Sequence, residues 1–498
     1  MTRGADGGLA RRAWAWVRSI APERATLRTD AVAGVSGAVG SVPDGMAASV
    51  LVGVNPIHGL YASFAGRIAG GLSASTRLMV ITTTSAAALA AGSALEGVAP
   101  ASRPGALFLL TVLAGVAMIV AGVLRLGRFT RFVSHSVMIG FLSGVAVNII
   151  AGQLPDLTGV DAEGDVAVEK AWDVVTNPSL IDPASLVAGG IALGLIVVLA
   201  RTRVAAFGPV IAMAVPSVVV VLNGGDVAQV RDEGAIPRGI PLPAWPQWSA
   251  LSASLLVGAL SVAAIVLVQG VGVAESAPNE DGSRTDTNHD FIAQGVGNLG
   301  AGLFQGQPVG GSVGQTALNR TAGARSRWAA IFSGLWLLLI LVAFSGVVGA
   351  VAMPTLAALL IVAAIGSLRV DAIATIWRTG LQSQLALGAT FVATLMLPVA
   401  SAVGLGVVLS LLLQLNQGAL DLKVVQLVPG ADGRLEEHPA PARAVSYDAV
   451  LLDVYGSLQF AGARTLQQQL PDPTGTTAPA IVLRLRGRST LGSTFFTV

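Results

Sequence analysis

Two short stretches, one in each half of the chain, decide the fold. Residues 80–94 read Val-Ile-Thr-Thr-Thr-Ser-Ala-Ala-Ala-Leu-Ala-Ala-Gly-Ser-Ala, and residues 307–318 read Gln-Pro-Val-Gly-Gly-Ser-Val-Gly-Gln-Thr-Ala-Leu. Each is β-branched or Pro- and Gly-rich at first and then continues into a short segment of small residues. Interrupted hydrophobic segments at matching places in two halves are typical of the binding site of a secondary transporter. We therefore predict two extended stretches, each followed by a half-helix that begins in mid-membrane.

A helix that begins in mid-membrane offers free backbone N–H groups and the positive end of its dipole, so it binds anions without a charged side chain. We expect these groups near Ser85 and Ser312 to hold the oxygens of an anion. The predicted substrate-binding residues are Thr84, Ser85, Ala86, Gln269, Gly310, Gly311, Ser312 and Gln315. The alternative is that both stretches are Gly-rich contacts between helices.

The distribution of charge places these stretches in a membrane. Only 12% of the 498 residues are charged, and the mean hydropathy is +0.71. Residues 251–274, 328–368 and 379–420 contain no Asp, Glu, Lys or Arg. A spanning helix needs roughly 20 apolar residues, so each of the last two runs is long enough for two spans. Buried helices of a soluble protein are the alternative, and they are usually shorter.

We predict about fourteen membrane segments. They lie near 30–52, 56–74, 84–98, 104–124, 131–153, 183–200, 204–222, 251–274, 288–304, 311–323, 327–350, 354–368, 381–397 and 399–418. With residues 1–29 as a cytoplasmic N-terminal segment, nineteen basic residues, Arg67 among them, fall on the inner side and only four on the outer side. This bias follows the positive-inside rule and predicts a multi-pass protein of the cell membrane with both termini in the cytoplasm.

Several classes of chemistry lack their sequence signals. The chain has no cysteine, its four histidines are far apart, and neither lysine lies in a GxxxxGK phosphate-binding loop. We expect no enzymatic activity, no metal, no cofactor and no nucleic-acid partner. Uphill transport would then need coupling to an ion or to a second solute.

Asp44 follows Pro43 inside the first predicted segment and is the clearest carboxylate within the hydrophobic runs. An acidic residue enclosed in a membrane is costly and by default indicates a site for a proton or a coupling cation. We predict that Asp44 has this role. The alternative is that its carboxylate only caps a broken helix.

After residue 420 the composition changes to that of a soluble domain. We predict a transport domain over 30–420, a linker over 421–443 and a small α/β domain over 444–498. The strands are expected near 449–455 and 480–485, with a helix near 461–470. So little chain follows the second strand that this domain is expected to be truncated.

Four ordered motifs resemble the sulfate permease (SulP) family of anion transporters. They are Pro43-Asp44-Gly45-Met46-Ala47 with GVNPIHGLY at 53–61; GFLSG at 140–144 with Gln153-Leu154-Pro155; Asp286-Thr287-Asn288 with QGVGN at 294–298; and Thr316-Ala317-Leu318-Asn319 with GARSR at 323–327. The tail resembles the STAS domain of that family, through LLDVYG at 451–456 and IVLRL at 481–485.

The resemblance implies an all-α polytopic membrane protein with seven-plus-seven inverted repeats. It implies core and gate domains like those of uracil transporters, short strands before segments 3 and 10, and substrate between those segments. It also implies a homodimer in membrane lipid. Many relatives carry an acidic residue where we align Gln269, and several carry a basic one where we align Gln315. These two amides weaken an analogy to halide exchange.

The predicted function is secondary active transport of a small anion (bicarbonate, sulfate or a dicarboxylate) with H⁺ or Na⁺, by alternating access. Transport of a nucleobase or another neutral solute on the same fold is an alternative, as is anion exchange. An intramembrane enzyme and a non-transporting sensor are further alternatives.

Overall fold

The computed structural model describes residues 24–128, 134–164, 166–202, 204–223, 227–233, 242–277, 282–397, 422–431, 434–456 and 460–485, with a few pieces of one to three residues between and beyond these ranges. It divides into two compact units, residues 1–406 and 407–498. Thirteen of the fourteen predicted membrane segments coincide with helices of the first unit. The fourteenth, 399–418, lies largely outside the described residues.

The first seven segments lie within residues 27–223. The helices are α1 (Leu27–Val52), α2 (Ile57–Ser73), α3 (Ser85–Ala94), α4 (Arg103–Val123), α5 (His135–Gly152), α6 (Leu154–Thr158), α7 (Ala167–Thr176), α8 (Pro183–Leu199) and α9 (Gly208–Asn223), and strand β1 (Ile81–Thr83) precedes α3. The short α6 and α7 lie between the fifth and sixth segments.

The second half contains the remaining segments. The helices are α10 (Ala253–Ser276), α11 (Thr287–Leu303), α12 (Val313–Thr321), α13 (Trp328–Gly349), α14 (Met353–Ser367), α15 (Val370–Thr379) and α16 (Leu381–Met396), and strand β2 (Val309–Gly311) precedes α12. Within the described residues, five stretches are long and apolar enough to cross a membrane: Leu27–Val52, Pro100–Val123, His135–Thr158, Ala253–Ala274 and Met353–Thr379.

Helix packing confirms the inverted repeat. α13, the eleventh segment, packs on α1 and α2, the first and second segments. Seven segments away the same contacts recur, because α4, the fourth segment, packs on α10 and α11, the eighth and ninth. α5 packs on α16 just as α14 packs on α8. β1 and β2 run antiparallel, as expected if the two halves are inverted in the membrane. Segments 1–4 and 8–11 therefore form a core domain, and the described segments 5–7, 12 and 13 form a gate domain.

Small residues let the core helices approach closely. Gly45 of α1 faces Gly59 of α2, and a Cβ added to Gly59 would lie 1.7 Å from the carbonyl oxygen of Gly45. In contrast, the outer faces of the helices carry large apolar side chains, such as Val198, Leu222 and Leu339, which are more than half exposed in the isolated chain. An apolar exterior over a tightly packed interior suits a protein surrounded by lipid.

The second unit contains a four-stranded sheet in the order β4-β3-β5-β6. Its strands are β3 (Lys423–Pro429), β4 (Leu435–Pro439), β5 (Ala449–Tyr455) and β6 (Ala480–Arg484), and helix α17 (Phe460–Gln469) connects the parallel pair β5 and β6. β3 and β4 lie in the stretch that the sequence predicts as a linker, 421–443. All five residues of β4 are exposed, so the strand lacks the alternating pattern by which a half-buried strand is recognised.

Candidate functional site

The two interrupted segments meet as predicted. Ile81 pairs with Gly311, Thr82 with Gly310 and Thr83 with Val309, and the Ser312 N–H extends the ladder to the Val80 carbonyl at 3.0 Å. Both strands are buried. The ladder fixes the starting points of α3 and α12 relative to each other.

α11 holds β2 through side-chain amides. Asn298 accepts a hydrogen bond from the Val309 N–H at 2.9 Å and donates to the Val309 carbonyl at 2.7 Å. Its neighbour one turn earlier, Gln294, accepts from the Gly311 N–H at 3.1 Å. Both amides are fully buried. Gly310 lies within the ladder and the Gly311 N–H donates to Gln294, so both glycines help to hold β2 in place. The sequence also predicts that they contact the anion directly, and this stays a prediction.

Each half-helix begins with a hydroxyl N-cap. Thr84 accepts from the Ala87 N–H at 3.4 Å, and Ser312 accepts from the Gln315 N–H at 3.3 Å. Each cap accepts from the third N–H of its helix. The first two N–H groups of each helix have no hydrogen bond among the described residues. In α3 these groups belong to Ser85 and Ala86.

In the second half-helix these free groups belong to Val313 and Gly314, which the sequence does not predict as site residues. Both residues are exposed, and among the described residues no atom outside the adjoining backbone of α12 and the two chain neighbours lies within 4 Å of a Cβ built on Gly314. Open space therefore adjoins the positive end of α12. The signal was present in the sequence, because the residues after an N-cap carry the orphan donors of a helix.

Two polar pairs connect the half-helices to the long core helices. Gln315 Nε2 donates to Asp44 Oδ2 at 2.7 Å, which joins α12 to α1. Thr84 Oγ1 donates to Gln269 Oε1 at 3.1 Å, which joins the start of α3 to α10. Asp44 and Gln269 both lie about two turns before the ends of their helices. The pairs are therefore related by the inverted repeat, but only one contains a carboxylate.

Asp44 lies among the core helices, where the atoms around it desolvate its carboxylate, as the sequence predicts. Its surface is nevertheless accessible, and it faces the first turn of the short helix α12.

Arg67 has a role that charge counting does not indicate. The count places it with the inner arginines, and the structure buries it inside α2, where it is 1% exposed and donates to Gln315 Oε1 at 2.9 Å. It is the only Lys, Arg, Asp or Glu in α2. An isolated charge in an apolar helix is the signal that could have identified it.

The comparisons with known proteins decide the family. The profile of the sulfate permease family matches residues 27–390. The chain belongs to the sulfate permease family. A probable sulfate transporter of Mycobacterium tuberculosis is 29% identical over 441 residues, which cover 86% of this chain and 79% of that protein. A putative sulfate transporter of Bacillus subtilis is 27% identical over 352 residues, 68% of this chain and 67% of that protein.

Two solved structures of transporters share the fold. Murine Solute Carrier 26 family member A9, an anion transporter in an inward-facing state, aligns with a TM-score of 0.83 at 18% identity over 100% of this chain and 86% of that one. The transmembrane domain of BicA, a cyanobacterial bicarbonate transporter, gives 0.66 at 18% identity over 79% of this chain and 98% of that domain. This member of the sulfate permease family is therefore a multi-pass membrane transporter with a C-terminal α/β unit like the STAS domain.

Proposed function

We propose that the protein is a secondary active transporter of a small oxyanion (bicarbonate, sulfate or a dicarboxylate) and that the anion binds between the N-termini of α3 and α12. The carrying observation is the pair of capped half-helices with free N–H groups at Ser85, Ala86, Val313 and Gly314. Such groups bind anions through aligned dipoles and hydrogen bonds. The relatives named above as sulfate and bicarbonate transporters support the same class of substrate.

Thr84, Gln269 and Gln315 would complete the site around the anion. Each is already engaged in one of the two polar pairs, so each is held in a defined orientation. Preorganised donors lose little conformational entropy when a ligand binds. Movement of the core domain against the gate domain would carry this site between the two sides of the membrane. The N- and C-termini would lie in the cytoplasm, and the protein would act as a homodimer in lipid.

Coupling is assigned to Asp44. Its carboxylate accepts from Gln315 on the first turn of α12, next to the proposed anion, where two negative charges would repel each other. Binding a proton, or a Na⁺ ion beside it, removes that repulsion. The anion and the proton or cation would then bind together, which is the requirement for symport.

Uptake into proteoliposomes tests this proposal. Labelled bicarbonate, sulfate and fumarate are supplied with a pH gradient, with a Na⁺ gradient, or with the same anion inside. Gradient-driven accumulation indicates symport, and uptake that needs an internal anion indicates exchange. Competition by uracil but not by anions would instead favour a neutral substrate.

Asp44→Asn separates coupling from binding. We expect this variant to lose accumulation driven by the gradient and to retain exchange of labelled for unlabelled anion, because the amide cannot take up a proton. Asp371→Asn, on the exposed helix α15, is the matched control and should behave like the wild type. Unchanged gradient-driven uptake in Asp44→Asn would refute the coupling assignment.

A further inference from the structure

Arg67 lies in the core domain within a set of hydrogen-bond acceptors, called the cradle below, that three neighbouring helices provide. Its guanidinium donates to Ser41 on α1, to Ser333 on α13 and to Gln315 on α12. Gly37, one turn before Ser41, leaves room for it, because a Cβ there would lie 3.2 Å from Arg67 Nη1. Three helices thus supply acceptors to one side chain of α2.

The cradle has no carboxylate. Among the described residues no ion pair includes Arg67, and its Nε has no hydrogen-bond partner. A buried charge without a counter-charge is strongly destabilising. Neutral hydroxyl and amide oxygens solvate the guanidinium but do not cancel its charge. This arrangement needs negative charge nearby to be stable.

Gln315 connects this charge to the transport site. Its Oε1 accepts from Arg67 at 2.9 Å while its Nε2 donates to Asp44 at 2.7 Å. Arginine has donors only, so the amide oxygen must face Arg67 and the N–H₂ group must face Asp44. The guanidinium therefore determines which end of the amide the transport site meets.

We propose that Arg67 is the fixed positive charge of the anion site and that it acts as a positioning residue through Gln315, without touching the anion. This inference rests on the proposed function. With Asp44 ionised, the pair Arg67 and Asp44 is neutral and the empty site is stable. With Asp44 neutralised by a proton, one positive charge is left, and it attracts one negative charge to the free N–H groups of α12. Arg67 thereby links the binding of the proton to the binding of the anion.

The test uses the full chain in proteoliposomes and in detergent, with sulfate as the probe. Arg67→Gln removes the charge, and Arg67→Lys keeps it. Gln315→Leu removes the connection to the site. Arg103→Gln is the matched control, because that arginine lies at the start of α4 and donates to the Val98 carbonyl. For each variant, KM and kcat for sulfate uptake are measured, together with the rise in Tm on adding sulfate.

We expect Arg67→Gln to raise the KM for sulfate about tenfold or more and to abolish the sulfate-induced rise in Tm, because the attraction of a buried charge is lost. Arg67→Lys should stay within about threefold of the wild-type KM, and Arg103→Gln should match the wild type. Arg67 and Gln315 act through one amide, so their effects should not add. The double variant, Arg67→Gln with Gln315→Leu, should have a KM for sulfate no higher than that of the single variant with the higher KM.

A folded Arg67→Gln protein with the wild-type KM and rise in Tm would overturn the inference while leaving the proposed function intact. A purely structural role would lower kcat and the Tm without sulfate and would leave the KM unchanged. If Arg67→Gln does not fold, the other variants decide: a wild-type KM in Gln315→Leu, or loss of the sulfate effect in a folded Arg67→Lys, would overturn it. A wild-type protein that neither takes up nor is stabilised by sulfate, bicarbonate or fumarate would overturn the function and the inference together.

Discussion

Replacing Val313 by proline tests the half-helix directly. Val313 is the first residue of α12, and its N–H is one of the free donors proposed to hold the anion. Proline removes that N–H but is accepted at the first position of a helix. The preceding residue, Ser312, already has the extended backbone that a following proline requires, with φ −102° and ψ 118°. The substitution therefore deletes one donor with little change to the backbone.

The expected loss of anion-binding free energy equals the strength of one hydrogen bond to a charged group, about 1.5–3 kcal/mol. At about 1.4 kcal/mol for each factor of ten, the KM for the anion should rise roughly tenfold to a hundredfold. Val313→Ala keeps the N–H and loses only a side chain that is 44% exposed, so it should remain close to the wild type. Ser85→Pro and Ser85→Ala repeat the comparison at α3, where Thr84 is extended as well.

The assay is sulfate or bicarbonate uptake into proteoliposomes over a range of concentrations, with the Tm of each variant measured first. A Val313→Pro protein that keeps the wild-type Tm and the KM of Val313→Ala would refute the reasoning. The anion would then have to be held by side chains, and the likeness of α12 to an anion-binding helix terminus would be structural only.

Three further predictions concern the frame and the loops. Asn298→Asp keeps the acceptor for the Val309 N–H but replaces the donor with an oxygen that faces the Val309 carbonyl. We expect the free energy of unfolding to fall by about 2–4 kcal/mol, with a lower Tm and no stabilisation by added anion. Gly59→Ala forces α1 and α2 apart, at a cost of about 1–3 kcal/mol or more, whereas Gly190→Ala, with open space around it, should leave the Tm unchanged. Hydrogen bonds from Ser185 hold the pKa of Asp182, the N-cap of α8, below its usual value of 3.8, so Asp182→Ala should lower the Tm at neutral pH. That difference should shrink as the pH falls below about 4, because protonation removes the same stabilisation from the wild type.

The sequence predicts the spans well because the membrane imposes a simple rule. Every lipid-facing backbone must form a helix of sufficient length, so uncharged runs and their flanking arginines locate the segments. The two short strands were also predictable, because the β-branched run before Ser85 and the Pro-Gly run before Ser312 interrupt apolar segments at matching places.

The side-chain partners in the site were not predictable in this way. Asn298 supports β2 from another helix, and nothing in its local sequence shows that its amide faces a strand rather than solvent. Charge counting places Arg67 with the arginines of the inner side, because loops on that side are rich in arginine. Its burial depends on Gly37, Ser41 and Ser333, which lie far away in the sequence and become neighbours only through the packing of α1 and α13 on α2.

The inverted repeat also shows where the chain is asymmetric. The two halves place a side chain of a long helix against the start of a short one, as Asp44 with Gln315 and as Gln269 with Thr84. The second pair is neutral, so it can position an anion but cannot respond to a proton. The first pair has a carboxylate on one side and, through the amide, a guanidinium on the other. Coupling would therefore reside in the half of the site formed by α1 and α12, and Gln269→Glu should add a second carboxylate, weaken anion binding at neutral pH and leave the role of Asp44 unchanged.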